Sequence, residues 1–245
     1  MFDAVRPFLG EERSLSRLNA LAETRQIRTE SGQPVRFVPP GTKDRYYEIR
    51  VFETGRVETR PESRHDYFNA LAWLAFPRTK ARINAMHAAE IPREGGRRGR
   101  LRDLLTILDE GGAVVQCDDP KLLLLLKESR WRELFWENRE RASAALRVLV
   151  IGHAVMEKAL EPWPGIACKT IFVPAGSDAD AAAYSWLGAL QPGATPRDMS
   201  PLPIYGLPGW YPGQSAEFYG DARYFRTSGE ARDKPAQGNA GKRVA

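Results

Sequence analysis

A chain of 245 residues with 42% hydrophobic, 10% aromatic and 27% charged side chains has the composition of a folded globular protein and excludes a fibrous or intrinsically disordered one. Lys and Arg number 36 against 31 Asp and Glu, and the net charge of +5 is too small to establish a nucleic-acid partner while keeping anionic ligands in view. Two cysteines, Cys117 and Cys168, exclude a disulfide framework and a four-cysteine zinc site; with no apolar run near about 18 residues and an acid in place of a positive n-region, the chain reads as cytoplasmic, with neither membrane span nor export signal.

Leu15, Leu18, Leu21 and Ala22 recur at helical spacing and predict a helix within the first thirty residues. After the Ser31-Gly32-Gln33-Pro34 turn, the β-rich runs Tyr46–Phe52 and Arg56–Arg60 flank Glu53-Thr54-Gly55 and read as a β-hairpin. Ser63 and Asp66 have the spacing of a capping box, which predicts a helix from Arg64 to Phe76 that is apolar nearly all round and therefore buried. Pro77 ends or kinks it, and a second helix follows over 78–90. The basic, glycine-rich stretch Arg93–Arg100 reads as a loop, followed by a helix over 101–110 and a short strand over 113–117. Pro120 opens the next helix behind an Asp118 or Asp119 cap, and two longer helices are expected over 129–141 and 142–160. Residues 166–173 are strand-like, and 178–190 read as one more short helix. From Gln191, prolines interleaved with aromatic residues describe an extended segment, 191–227, that wraps a folded body; small polar residues over 228–245 predict a disordered tail. The expected fold class is α+β: a mainly helical single domain over residues 1–227, with a β-hairpin and short strands.

Several long motifs then stand in one order: Arg64-His65-Asp66-Tyr67-Phe68-Asn69 running on to Pro77-Arg78-Thr79-Lys80, Arg100–Thr106, Gly152-His153-Ala154 with Glu157-Lys158, Pro208-Gly209-Trp210, and Phe218-Tyr219 with Phe225-Arg226. Together they resemble a bacterial domain-of-unknown-function family, domain of unknown function 3025, from about the first helix to Arg226. That family has no established reaction, so the resemblance implies a single bacterial domain and assigns no catalytic residue.

The residues themselves nominate a site. Each histidine falls in a predicted helix with a polar neighbour about one turn away: His65 with Asn69, His87 with Asn84 and Lys80, His153 with Glu157. His153 is the most pointed case, since it interrupts the apolar run Val148–Met156, where a polar group must find a partner. The expectation is one pocket between buried helices lined by His65, His153 and Glu157, with Asp66 or His87, in which a metal-bound water or a histidine base attacks an ester or phosphodiester. His65, Asp66, His153 and Glu157 are thus the candidate catalytic residues. His65, His153 and Glu157 are also the candidate ligands for a divalent transition metal. The plainer alternative is that each ring is satisfied by a nearby carbonyl or carboxylate.

Arg98, Arg100 and Arg102 flank a glycine ahead of a helix and are the candidate anion-binding groups, with a solvated loop as the alternative. Their spacing matches neither a P-loop nor a dinucleotide fingerprint. Asp109 and Glu110 can pair with other charges or serve as ligands, with salt bridges the favoured role. Neither cysteine has an adjacent base, and no Gly-x-Ser-x-Gly elbow is present. The functional expectation is a hydrolase, with or without a metal, acting on a phosphate-bearing or otherwise anionic small molecule. The alternative is a non-catalytic module that uses residues 93–102 and the pair Lys242-Arg243 to bind nucleic acid or an acidic partner.

Overall fold

The structure, a computed structural model, describes residues 3–9, 13–41, 46–95 and 98–226; the expected tail, with Lys242 and Arg243, lies outside them. Helix α1 (Leu15–Thr24) forms where the leucine spacing predicts it, capped by Ser14, and strand β1 (Arg36–Val38) follows. The expected hairpin does not form. Tyr46–Phe52, anticipated as its first arm, lies almost wholly in helix α2 (Tyr47–Thr54), and strand β2 (Arg56–Glu58) pairs with β1 in parallel, Phe37 opposite Val57. Tyr47, Ile49 and Val51 alternate as a strand should, so the local pattern favours the wrong element. A parallel pair needs a crossover, however, and α2 is that crossover. Gly55, read as a hairpin corner, is the left-handed cap of α2 at φ 70°; a Cβ there would lie 2.1 Å from the Pro34 carbonyl oxygen.

Helix α3 (Arg64–Ala75) is the central buried helix, enclosing Tyr67, Phe68, Ala70, Leu71, Ala72, Trp73 and Leu74. Half of the capping box is present. Ser63 Oγ accepts from the Asp66 N–H at 3.1 Å, while the Asp66 carboxylate turns to Arg60 instead of back to Ser63. Pro77 occupies the first position of α4 (Pro77–Glu90), where its missing N–H leaves no bond unmade. Helix α4 turns a polar stripe inward: Lys80, Asn84 and His87, spaced i, i+4, i+7, are each at most 4% exposed. Buried polar groups persist only with partners. These come from α5 (Arg100–Gly111), with Asp109 against Lys80 and Arg102 against His87, and from α2, with Glu48 against Asn84.

Strand β3 (Gly112–Gln116) follows α5 directly and is buried at every position. After α6 (Pro120–Lys127), the expected helix over 129–141 breaks into a widened turn at Glu133–Glu137 and then α7 (Arg139–Ala145). The long helix expected over 142–160 is also corrected: Arg147–Val150 is strand β4, and His153 opens a short helix, α8 (His153–Lys158). Val148, Leu149 and Val150 suit either a buried helix or a strand. The open antiparallel edge of β3 decides it, pairing Ala113 with Val150 and Val115 with Val148. Strand β5 (Ala167–Val173) lies parallel to β3 on its other side, helix α9 (Ala179–Gly188) follows, and β6 (Ser200–Pro203) completes the sheet in the order β4-β3-β5-β6. Alternation sends Ala113 and Val115 toward Leu122, Leu125 and Phe135, and Val114 and Ile171 toward Leu104, Leu105 and Leu108 of α5. With both faces covered, Ala113–Val115 of β3 reads as an apolar run, while Lys169 and Thr170 interrupt that of β5.

The segment beyond residue 191 contributes side chains to the core. Tyr205, Tyr219 and Phe225 are buried, and Gln214 ties its turns by donating to the Tyr205 and Leu207 carbonyls at 2.8 Å each. Trp131 donates to the Arg226 carbonyl at 2.8 Å, closing the segment over the body. Among the described residues no helix is long and apolar enough to cross a membrane.

Candidate active site

Two histidines from distant parts of the chain meet. His65 stands in the first turn of α3, and His153 follows Gly152 at the start of α8. Gly152 brings the second ring in: its N–H donates to the Gly112 carbonyl at 2.9 Å, and a Cβ would sit 2.6 Å from the Glu110 carbonyl oxygen and 2.7 Å from Gly111 Cα. That approach sets His153 against the last turn of α5. Gly152→Ala must therefore push α8 off α5, with an expected loss of about 1–3 kcal/mol, the range for overpacking a close contact, measured by urea unfolding. An unchanged midpoint would mean that the approach is looser than described.

The hydrogen bonds fix the tautomers. His153 Nδ1 lies 2.8 Å from the Asp109 backbone oxygen, which can only accept, so Nδ1 carries the proton. His65 Nδ1 lies 3.0 Å from Glu157 Oε2, and an Nδ1–H donated to that oxygen gives the same tautomer. The two Nε2 atoms then face one another at 3.1 Å, with the rings edge to face at 71°. Two lone pairs at that distance repel, and one proton taken up between the rings relieves that repulsion. Glu157, His65, His153 and the last turn of α5 thus form a continuous relay, which ends inward on Asp109. The Asp109 carboxylate is ion-paired to Lys80, whose ammonium also donates to Asn69 Oδ1 at 2.7 Å. Glu157 and His65 side chains are 37% and 40% exposed and His153 only 6%, so the relay runs from solvent into the interior.

Burial lowers His153 to about 4 against the attraction of Asp109. Burial likewise lowers His87 to about 4, and its Nδ1 accepts from Arg102 Nε at 3.2 Å, which leaves the ring neutral with its proton on Nε2. Burial by itself would raise the Asp109 carboxyl; Lys80 outweighs it and holds Asp109 below the usual carboxylate range.

The relay opens on a cleft of two adjoining cavities. The larger, about 460 Å³, is lined by His65, His153, Asp66, Asn69 and Arg60. The other, about 280 Å³, is lined by His87, Arg98, Arg102, Thr106 and Tyr46. Tyr47, Glu48, Asp109 and Glu110 line both.

Of the candidate catalytic residues, His65, His153 and Glu157 are brought together. Asp66 lines the same cavity but is held by Arg60 through its backbone N–H at 2.8 Å and its guanidinium at 2.8 and 2.9 Å. Burial would raise Asp66, and these contacts outweigh it, keeping the carboxyl below its ordinary range. The candidate metal ligands form a chain: Glu157 engages His65 through Nδ1, on the other side of the ring from the Nε2 that faces His153. Among the described residues no three His, Cys, Asp or Glu side chains are grouped so as to hold a metal ion. His87 stands in the adjoining cavity. Arg102 is half-committed, clamping Glu94 at 2.8 Å, and Arg98 makes an exposed pair with Asp103 at 3.1 Å; Arg100 is exposed and outside both linings. The cysteines are free and buried, and burial pushes the Cys168 thiol up to about 12.

Sequence reasoning missed Glu48 altogether, because it lay in a presumed strand. The inward role of Asp109 did carry a signal: Arg102, Thr106 and Asp109 repeat the i, i+4, i+7 spacing of Lys80, Asn84 and His87, as two facing polar stripes must.

A mainly helical α+β fold with a histidine relay opening on a polar cleft defines the class of this protein. Residues 35–229 match the model of the family described as Protein of unknown function (DUF3025), and the chain belongs to that family. No curated protein and no solved structure matches it.

Proposed function

We propose that this chain is a hydrolase in which the His65–His153 pair acts as the base that activates water, on a small substrate bearing an anionic group. The observation that supports it is the facing of two Nε2 atoms whose Nδ1 atoms are both tied down: such a pair is a receptor for one proton, at the wall of a cleft with room for a substrate. A structural histidine pair has no need of this frustration, which a single changed tautomer would relieve. Glu157 gives the captured proton a way out to solvent. Arg98 suits the anionic group, since its surface pair with Asp103 is worth little and exchanges readily for a ligand.

The test is turnover of chromogenic carboxylic esters and phosphodiesters by the wild type, His65→Asn and His153→Asn, with folding followed by circular dichroism. The expected result is a loss in kcat of about 10²- to 10⁴-fold in either variant, the usual worth of a positioned acid or base, with the fold retained. Equal turnover by His153→Asn would overturn the reading. A salt-sensitive association with nucleic acid that survives His153→Asn and disappears on charge reversal at Arg98 and Arg100 would replace it with the binding-module alternative.

A further inference from the structure

We infer that Glu48 is the proton donor of this cleft, delivering a proton to the leaving oxygen while the histidine pair takes one from water; the inference rests on the hydrolase reading. A small third cavity, about 20 Å³, shares lining with both, and Tyr47, Glu48 and Asp109 line all three. Asp109 is spent on Lys80. Burial pushes the Tyr47 hydroxyl well above its ordinary range, so it neither ionises nor cycles near neutrality. Glu48 is the remaining group that can hold a transferable proton at this junction.

Its setting suits that task. Asn84 Nδ2 donates to the Glu48 backbone oxygen at 2.9 Å and to Glu48 Oε2 at 2.6 Å, which locks the carboxyl in place. The amide cannot turn over, because Asn84 Oδ1 would then face a backbone carbonyl that donates nothing. With Oε2 accepting from Asn84, Oε1 is the oxygen that carries the proton. Asn84 is 2% exposed and its Oδ1 is left without a donor, so a buried amide forgoes one of its own bonds to hold Glu48. Burial, only partly opposed by the Asn84 bond, moves Glu48 up to about 7, where a carboxyl can both give and regain a proton at neutral pH.

The step balances. A water O–H proton passes into the gap between His65 and His153 as the water oxygen bonds to the acyl carbon or phosphorus. The bond to the leaving oxygen breaks with its electron pair, and that oxygen takes the Glu48 proton and departs as an alcohol. Glu48 is left as a carboxylate and is reprotonated from solvent, while the proton on the histidines leaves by Glu157. The net reaction consumes one water and yields an acid and an alcohol.

Glu48→Gln tests this, since the amide oxygen still accepts from Asn84 but no proton can be given. Leaving groups separate the roles. An alkoxide needs protonation and a nitrophenolate does not, so Glu48→Gln should lose about 10²- to 10⁴-fold in kcat on alkyl esters and less than tenfold on p-nitrophenyl esters, whereas His153→Asn loses on both. A substrate-free readout is the protonated-carboxyl C=O band in infrared difference spectra between pH 6 and pH 8.5, expected in the wild type and absent from Glu48→Gln. Equal losses on the two leaving groups, no loss, or an unchanged infrared difference would overturn the Glu48 assignment and leave the histidine base standing. Absence of any wild-type turnover would instead overturn the hydrolase reading, and the Glu48 role with it.

Discussion

Lys80→Met should lower the stability of the folded chain by about 3–5 kcal/mol, moving the midpoint of thermal unfolding down by roughly 6–20 °C for a chain of this size. The ammonium is 4% exposed and paired with an Asp109 side chain that is 20% exposed, so its removal strands a carboxylate with little water to solvate it. Asn69 Oδ1 loses its donor at the same time, and the Trp73 ring loses a cation 5.8 Å from its centroid. Most of the loss is the stranded charge and not the worth of the pair, so Lys80→Met combined with Asp109→Leu should recover much of it. Urea unfolding of the two single variants and the double one measures this directly. A Lys80→Met midpoint within about 1 kcal/mol of wild type, below the smallest stranded-charge cost expected, would mean that water reaches Asp109 freely.

Acid should destabilise the chain well before its surface carboxylates titrate. His87 and His153 titrate near 4 when folded against 6.5 when unfolded, so between these values the unfolded chain binds two protons that the folded chain refuses. The stability they supply is complete above 6.5, is lost as the pH falls through the window, and levels off below about 4. Glu48 acts in the opposite sense. Raised from 4.5 to about 7, it contributes stability that is present below 4.5 and lost as the pH rises through about 7. The net between 4.5 and 6.5 is about one proton taken up on unfolding, a loss of about 1.4 kcal/mol per pH unit, or about 3 kcal/mol across the window. Asp66 and Asp109, held low, add to the loss only as the pH falls below their unfolded value of 3.8. Urea midpoints at pH 7.5, 6.5, 5.5 and 4.5 give the slope. His87→Gln should flatten it and Glu48→Gln steepen it; a His87→Gln slope equal to that of wild type would show that the ring charges in the folded state.

The parts legible in the sequence were those decided within one element. Helix α3 could be read because its residues are apolar on every side and Ser63 marks its start. The polar neighbours of the histidines were visible on α3 and α4 for the same reason. A shared pocket for His65, His153 and Glu157 was expected from the sequence, but which atoms pair with which was not. His65 meets Glu157 and His153 rather than Asn69; Asn69 and Asp109 converge on Lys80; Asn84 turns to Glu48. Each partner comes from another helix, at a sequence separation that no local spacing encodes.

Local pattern also misplaced the segments that hold two site residues. Tyr46–Phe52 satisfies a period of two, and Val148–Met156 reads as one buried helix. Only the crossover that joins β1 to β2 makes the first a helix carrying Glu48, and only the free edge of β3 makes the start of the second a strand that delivers His153 at its end. The sequence by itself determined the α+β class, the buried helices and which polar side chains had to find partners, because hydrophobic periodicity and the cost of burying a polar group act residue by residue. The tertiary structure alone decided which partners they found, because strand pairing and the close approach at Gly152 depend on surfaces that exist only once distant segments have packed.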